Sequence, residues 1–157
     1  MSEPGSAVYA ISTQVSALTP TELGLDLRKW PHAKAFCSWL GLAPRHEISG
    51  GKILRRSTLK TRNRAGQAFR LAAHAVSRSR NSLGAYYRRM RARLGPQSAI
   101  VATAHKIARI VYHLLIHRTP FRELSATEYE RRIRDRDIAA LRKKATKLGF
   151  TLVESST

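Results

Sequence analysis

A chain of 157 residues with 43% hydrophobic side chains is long enough to enclose one core, and a formal net charge of +19 is too one-sided for a protein that works without an anionic partner. Its 29 Lys and Arg against 10 Asp and Glu point to nucleic acid ahead of an anionic membrane surface, while the apolar content excludes a disordered polycation. One cysteine, Cys37, excludes an internal disulfide and suits a reducing cytoplasm; the N-terminus carries no basic-then-apolar leader, and the longest apolar run, 107–116, is too short for a bilayer and is broken by Arg109 and His113.

In chain order, Gly5 leads into an apolar helical stripe over 6–16, formed by Ala7, Val8, Ala10, Ile11 and Val15. Thr19-Pro20 and Gly24 mark a link. Trp30-Pro31 then open a second helix over about 32–40, with Ala33, Phe36, Cys37 and Leu40 on one face and Gly41 placed to end it. Two short helices joined in this way suit a helix-hairpin-helix element that turns backbone N–H groups toward a phosphate, and a plain structural helix pair accounts for the pattern equally well.

The stretch 44–64, PRHEISGGKILRRSTLKTRNR, is the centre of the charge pattern. Between Glu47 and Glu123 there is no acid, while the same interval holds seventeen Lys and Arg. Residues 45–48 and 52–56 flank Ser49-Gly50-Gly51 as the arms of a short hairpin or an Ω-like loop. Helical spacing of Ala65, Ala68, Phe69, Ala72, Ala73 and Val76 predicts a helix over about 64–79 lying beneath that loop. Leu83, Tyr87, Met90 and Leu94 predict another, stopped by Gly95-Pro96, with Arg88, Arg89, Arg91 and Arg93 on its other sides and Tyr86 and Tyr87 half-buried among them. The most regular pattern, Ile100, Ala104, Ile107, Ala108, Val111, Tyr112 and Leu115, marks 97–117 as the central core helix. After Thr119-Pro120 acids return. Ser125 and Glu128 have capping-box spacing and open a helix over about 126–148 with Tyr129, Ile133, Ala140, Leu141, Ala145 and Leu148 on one side, followed by a docking tail over 150–153.

The residues forbid one chemistry and leave another open. A carboxylate Mg²⁺ site needs acids that converge, and the basic region has none. His113 and His117 have i, i+4 spacing without a third ligand in view, so no metal site is assigned. A serine attacking a phosphodiester instead profits from cations, because negative charge grows on the phosphate oxygens. Ser49 fits: glycines follow it, and Lys52, Arg55, Arg56, Lys60, Arg62 and Arg64 surround it in sequence, with His46 the nearest proton acceptor. A Ser-Gly-Gly tip is also an ordinary turn.

The ordered blocks FCSWLGLAP, EISGGK, LKTRNRAGQAFRLAAHAV, LGAYYRRMRARLG, AIVATAHKIARIVYHLL and a YERR helix ending in KLGFTLV lie within 36–153, and the resemblance they carry runs from about 5 to 153. Together they resemble the C-terminal domain of the DEDD-type transposases of bacterial insertion sequences, related to Piv-like DNA invertases and to bridge-RNA-guided recombinases. The resemblance implies a mainly α fold, a helix-hairpin-helix followed by a helical bundle with a Gly-rich loop or short hairpin. It is divided into a helix-hairpin-helix-like element (1–43), a basic transposase domain with the serine loop (44–121) and a C-terminal helix and tail (122–157). It implies that Ser49, in the SGGK block, is a nucleophile that becomes linked to DNA, with Lys52, Lys60 and Asn63 on neighbouring motif positions. Lys52, Arg55, Arg56, Lys60, Arg62, Asn63, Arg64, Arg88 and Arg89 are the expected nucleic-acid-binding residues. The partners implied are DNA, a guide RNA, further copies of the chain on DNA, and an RNase H-like domain in trans. That domain would supply the acidic ligands for Mg²⁺, since this chain begins at the helix-hairpin-helix and is expected to hold no cofactor itself. A non-catalytic nucleic-acid-binding protein is the competing expectation.

Overall fold

The computed structural model describes residues 29–50, 52–58, 63–118, 121 and 124–153, and for most of the strand residues the backbone alone. Along these the order is α1 (Ala33–Trp39), β1 (Pro44–Ser49), β2 (Lys52–Thr58), α2 (Arg64–Ser77), α3 (Ser82–Leu94), α4 (Pro96–His117) and α5 (Ala126–Lys147). The fold is mainly helical, as the sequence predicts. The helix expected over 6–16, and with it the first half of the helix-hairpin-helix, lies outside the described residues.

α4 is the central helix, and α1, α2 and α3 all pack on it. Gly95 with φ 80° ends α3, and Pro96 opens α4 where its missing N–H costs nothing. From there Ala99, Ile100, Thr103, Ala104, Ile107, Ala108, Val111 and Tyr112 recur at three- and four-residue intervals and are buried. The small side chains let α2 approach closely through Ala72 and Ala73, also buried. Thr103, a polar residue sealed in the core, donates its hydroxyl to the Ala99 carbonyl at 2.8 Å and so loses no hydrogen bond on burial. α4 is also long and apolar enough to cross a membrane by length and composition, a property the run 107–116 did not suggest, and here it is the core helix on which α1, α2 and α3 pack.

α1 closes one end of the core. His32 caps it by accepting from the Ala35 N–H at 3.0 Å, and Gly41, with φ 67°, turns the chain out of it. Its Phe36 is fully buried, with ring centroids 5.2 Å from Trp30, 5.8 Å from Tyr112 and 6.2 Å from Phe69. The Tyr112 hydroxyl donates to the Trp30 carbonyl at 2.7 Å, tying the segment before α1 to α4. Cys37 beside Phe36 is a core filler, as expected. Burial pushes its thiol up to about 11, with Arg109 pulling weakly the other way. At pH 8 alkylation by iodoacetamide should therefore run at least about a hundredfold slower than for a free cysteine, and recover the free rate in urea. A native rate equal to the unfolded one would contradict this packing.

Four expectations need correction. Leu115 and Leu94 lie on the stripes of α4 and α3 but are exposed, because each sits in the last turn, past the neighbour that covers the stripe. α5 buries none of its residues. It starts beside α3, where Asn81 bridges Ser125 and the Ser82 N–H donates to the Leu124 carbonyl at 3.1 Å. At ~1.5 Å per residue its 22 residues run well beyond the 13 of α3, so the apolar side from Leu141 onward has no helix to cover it. The tail does not dock: after Gly149, φ 79°, the Phe150 N–H closes a Schellman turn on the Ala145 carbonyl at 2.9 Å, yet the Phe150 and Val153 side chains are 71% and 83% exposed. The capping box forms by half. Ser125 Oγ accepts from the Glu128 N–H at 3.1 Å, but the Glu128 carboxylate turns to Arg132 one turn on, at 2.7 Å.

Candidate nucleic-acid interface

The Ser49 hairpin leaves the helical body between the end of α1 and the start of α2, and those two ends are pinned together. Asn63 does most of this. Its Oδ1 accepts from the N–H groups of Ala65 and Gly66 at 2.9 and 3.3 Å, capping α2, while its Nδ2 donates to the Trp39 carbonyl of α1 at 3.0 Å. Two turns further on, Arg70 donates from a guanidinium nitrogen to the Gly41 carbonyl at 3.0 Å. Between the two bonds Gly66 lies against the Leu40 backbone, where a Cβ would overlap the carbonyl oxygen. Only glycine lets the helices meet there.

On this base stand β1 and β2, antiparallel, in the register Pro44 to Thr58, Arg45 to Ser57, His46 to Arg56 and Glu47 to Arg55. The register then slips by one, so that Ile48 pairs with Ile53 and Leu54 is the extra residue of a bulge on β2. Ser49 pairs with Lys52 at the far end, with Gly50-Gly51 between them. Gly50 has φ 56°, the left-handed conformation that a two-residue hairpin turn asks of its first residue. Five residue steps of strand put the Ser49 Cα about 17 Å from that of Pro44. Among the described residues the strands pair with each other and pack on none of the helices, so α2 does not lie beneath the loop as the sequence suggested. Its N-terminus instead forms one side of the hairpin's base.

The expected site residues thus fall into three groups. Ser49, Lys52, Arg55 and Arg56 share the hairpin, where backbone pairing sets Ser49 against Lys52 and His46 against Arg56. Asn63 and Arg64 are at its base, Asn63 committed to the clasp and Arg64 an exposed first residue of α2; Lys60 and Arg62 lie outside the described residues. Arg88 and Arg89 belong elsewhere. Arg88 donates to the Ser79 carbonyl at 3.1 Å, Arg89 forms an ion pair with Asp137 at 3.4 Å, and both line a groove between α3 and α5 over Ala85, Ile133 and Ile138. That exposed ion pair contributes ~0.5 kcal/mol, enough to bias the α3–α5 packing and little more. Gly66 and Arg70, which set the hairpin's base, have no signature in the sequence beyond an Asn at a helix start.

No group of three His, Cys, Asp or Glu side chains that could hold a metal comes together among the described residues; His113 and His117 stack on each other at 5.7 Å on the exposed end of α4. The family model described as Transposase IS116/IS110/IS902 family matches residues 7–88, a span that includes α1, the hairpin, α2 and the first half of α3. No curated protein and no solved structure matches the chain.

Proposed function

The chain belongs to the IS116/IS110/IS902 transposase family, and from that premise we propose that it is the serine-bearing domain of a DNA transposase in which Ser49 is the nucleophile. The observation that carries the reading is the placement of Ser49: last residue of β1, paired with Lys52, at the tip of a hairpin that stands clear of the helical core on a clasped base. A hydroxyl there can reach a duplex without unpacking anything.

In the proposed step the Ser49 hydroxyl oxygen attacks the phosphorus of a DNA phosphodiester. A serine–phosphorus bond forms, one phosphorus–deoxyribose oxygen bond breaks, the hydroxyl proton passes to a base and the departing sugar oxygen takes up a proton. Because one ester replaces another, the linked strand stays competent for rejoining. Lys52 with Arg55 and Arg56 offsets the charge that builds on the phosphate oxygens, and His46, paired across from Arg56, is the candidate base. The basic region around Ser49 does not fit a carboxylate Mg²⁺ site, since Glu47 is the sole acid between Asp26 and Glu123. Any metal is proposed to be held by an RNase H-like domain, and that domain, a guide RNA and further copies of the chain on DNA are the proposed partners beside DNA itself.

The test is a denaturing-gel assay for DNA-linked protein. The Ser49 chain and Ser49→Ala are each incubated with labelled duplex, with and without an RNase H-like domain from a related transposase. The expected result is an adduct with Ser49 and the added domain, reduced at least about a thousandfold in Ser49→Ala. An adduct that persists in Ser49→Ala would overturn the nucleophile. DNA binding without any adduct would leave a non-catalytic binding domain.

A further inference from the structure

We propose that the half-buried amine of Lys106, held between the rings of Tyr86 and Tyr129 and flanked by Arg93, Arg109 and Arg136, is a seat for a DNA backbone phosphate, separate from the Ser49 hairpin. The Lys106 Nζ stands 4.1 Å from the Tyr86 ring centroid and 4.8 Å from that of Tyr129, so α3, α4 and α5 each contribute one member of the cage. Helix arithmetic places the cations around it. Arg93 is seven residues from Tyr86 on α3, Arg136 seven from Tyr129 on α5, and Arg109 three from Lys106 on α4, each on the face of its own cage member.

Two aromatic faces attract an ammonium without neutralising it. Among the described residues no carboxylate bonds to Lys106, Arg93, Arg109 or Arg136, because the nearby acids of α5 that form pairs are spent elsewhere, Asp137 on Arg89 and Glu128 on Arg132. Burial first, then Arg136 and Arg109, hold the Lys106 ammonium below its usual range. Burial foremost raises the Tyr86 phenol, which keeps it a neutral hydroxyl able to donate. Lys106 is half-buried and feels the charges of Arg136 and Arg109, Tyr86 those of Arg109 and Arg93, and all three arginines are exposed, so the charge that would balance this group is an anion. A phosphodiester matches: one negative charge with two free oxygens, on a polymer that also presents neighbouring phosphates to the arginines. The inference rests on DNA being the partner and not on the serine chemistry.

The test is fluorescence anisotropy over a salt series with a labelled DNA duplex and, in parallel, a labelled single-stranded RNA. It compares the unmodified chain, Arg109→Gln/Arg136→Gln, Lys106→Met, which keeps the apolar stem, and a charge-matched control on exposed α5, Lys143→Gln/Lys144→Gln. Helix content by circular dichroism checks that each is folded. Arg109→Gln/Arg136→Gln should make the slope of log affinity against log salt shallower by about 1.8, and Lys106→Met by about 0.9, with the control changing far less. Equal losses in the control and the Arg109/Arg136 variant would overturn the seat while leaving DNA as the partner. A loss confined to single-stranded RNA would overturn it in favour of an RNA contact. Absence of DNA binding by the unmodified chain would overturn both this seat and the proposed function.

Discussion

Phe36→Ala should cost about 4 kcal/mol, the largest single-residue effect expected in this fold. Phe36 has no exposed surface, and its ring meets Trp30, Trp39, Phe69 and Tyr112, so one side chain joins the segment before α1, α1 itself, α2 and α4. Truncation removes the transfer free energy of the ring and leaves a cavity among large aromatic residues that cannot close in on it. Against a total stability of ~5–15 kcal/mol for a domain of this kind, that is a large fraction: at the low end ~1 kcal/mol would remain, with about one chain in six unfolded. Urea denaturation followed at 222 nm measures it. Phe36→Leu, which fills most of the space, should lose no more than about 1.5 kcal/mol. A loss below ~1 kcal/mol for the alanine variant would mean that Phe36 is not the keystone its contacts indicate.

Gly66→Ala is expected to cost about 3 kcal/mol for a different reason. An added methyl would overlap the Leu40 carbonyl oxygen and stand 3.2 Å from its carbon, and both atoms are backbone, with no rotamer to give way. To admit it, α1 and α2 must separate, which stretches the bonds from Asn63 to Trp39 and from Arg70 to Gly41. The contrast is sharp because alanine is the better helix former. At the adjacent, exposed Gln67 the same replacement should leave stability within ~0.5 kcal/mol. Gly66→Ala should also loosen the hairpin's footing, so that DNA affinity falls by more than the unfolded fraction alone explains. A fold that melts like the parent would refute the close approach.

What the sequence revealed follows from the range of the forces involved. α4 was legible because eight buried positions repeat at one period, and α1 because Ala33, Phe36, Cys37 and Leu40 keep the same rule between a proline and a glycine. The hairpin was legible in Gly50-Gly51 set between two short arms. α5 was misread in one respect: its stripe has the same spacing as that of α4, and periodicity says which residues share a face, not whether another helix is long enough to cover it. The Asn63 clasp, the Gly66 contact and the Lys106 cage were invisible, since each joins residues on separate elements. Arg88 and Arg89 looked equivalent to the hairpin cations by charge alone, and only the packing of α3 on α5 sets them apart. For Ser49 the spacing located a tip, while its chemistry rests on the family.

The central position of α4 also bears on how the chain is made. α1, α2 and α3 all bury themselves against a helix that follows them in sequence, so during synthesis their apolar faces emerge before the surface they will cover. At roughly 5–20 residues per second, the interval between the appearance of α1 and the completion of α4 lasts about 4 to 17 seconds. Throughout it Phe36, Phe69 and Val76 have no permanent home, and the cations of the same segment, by repelling one another, help to keep nascent chains apart.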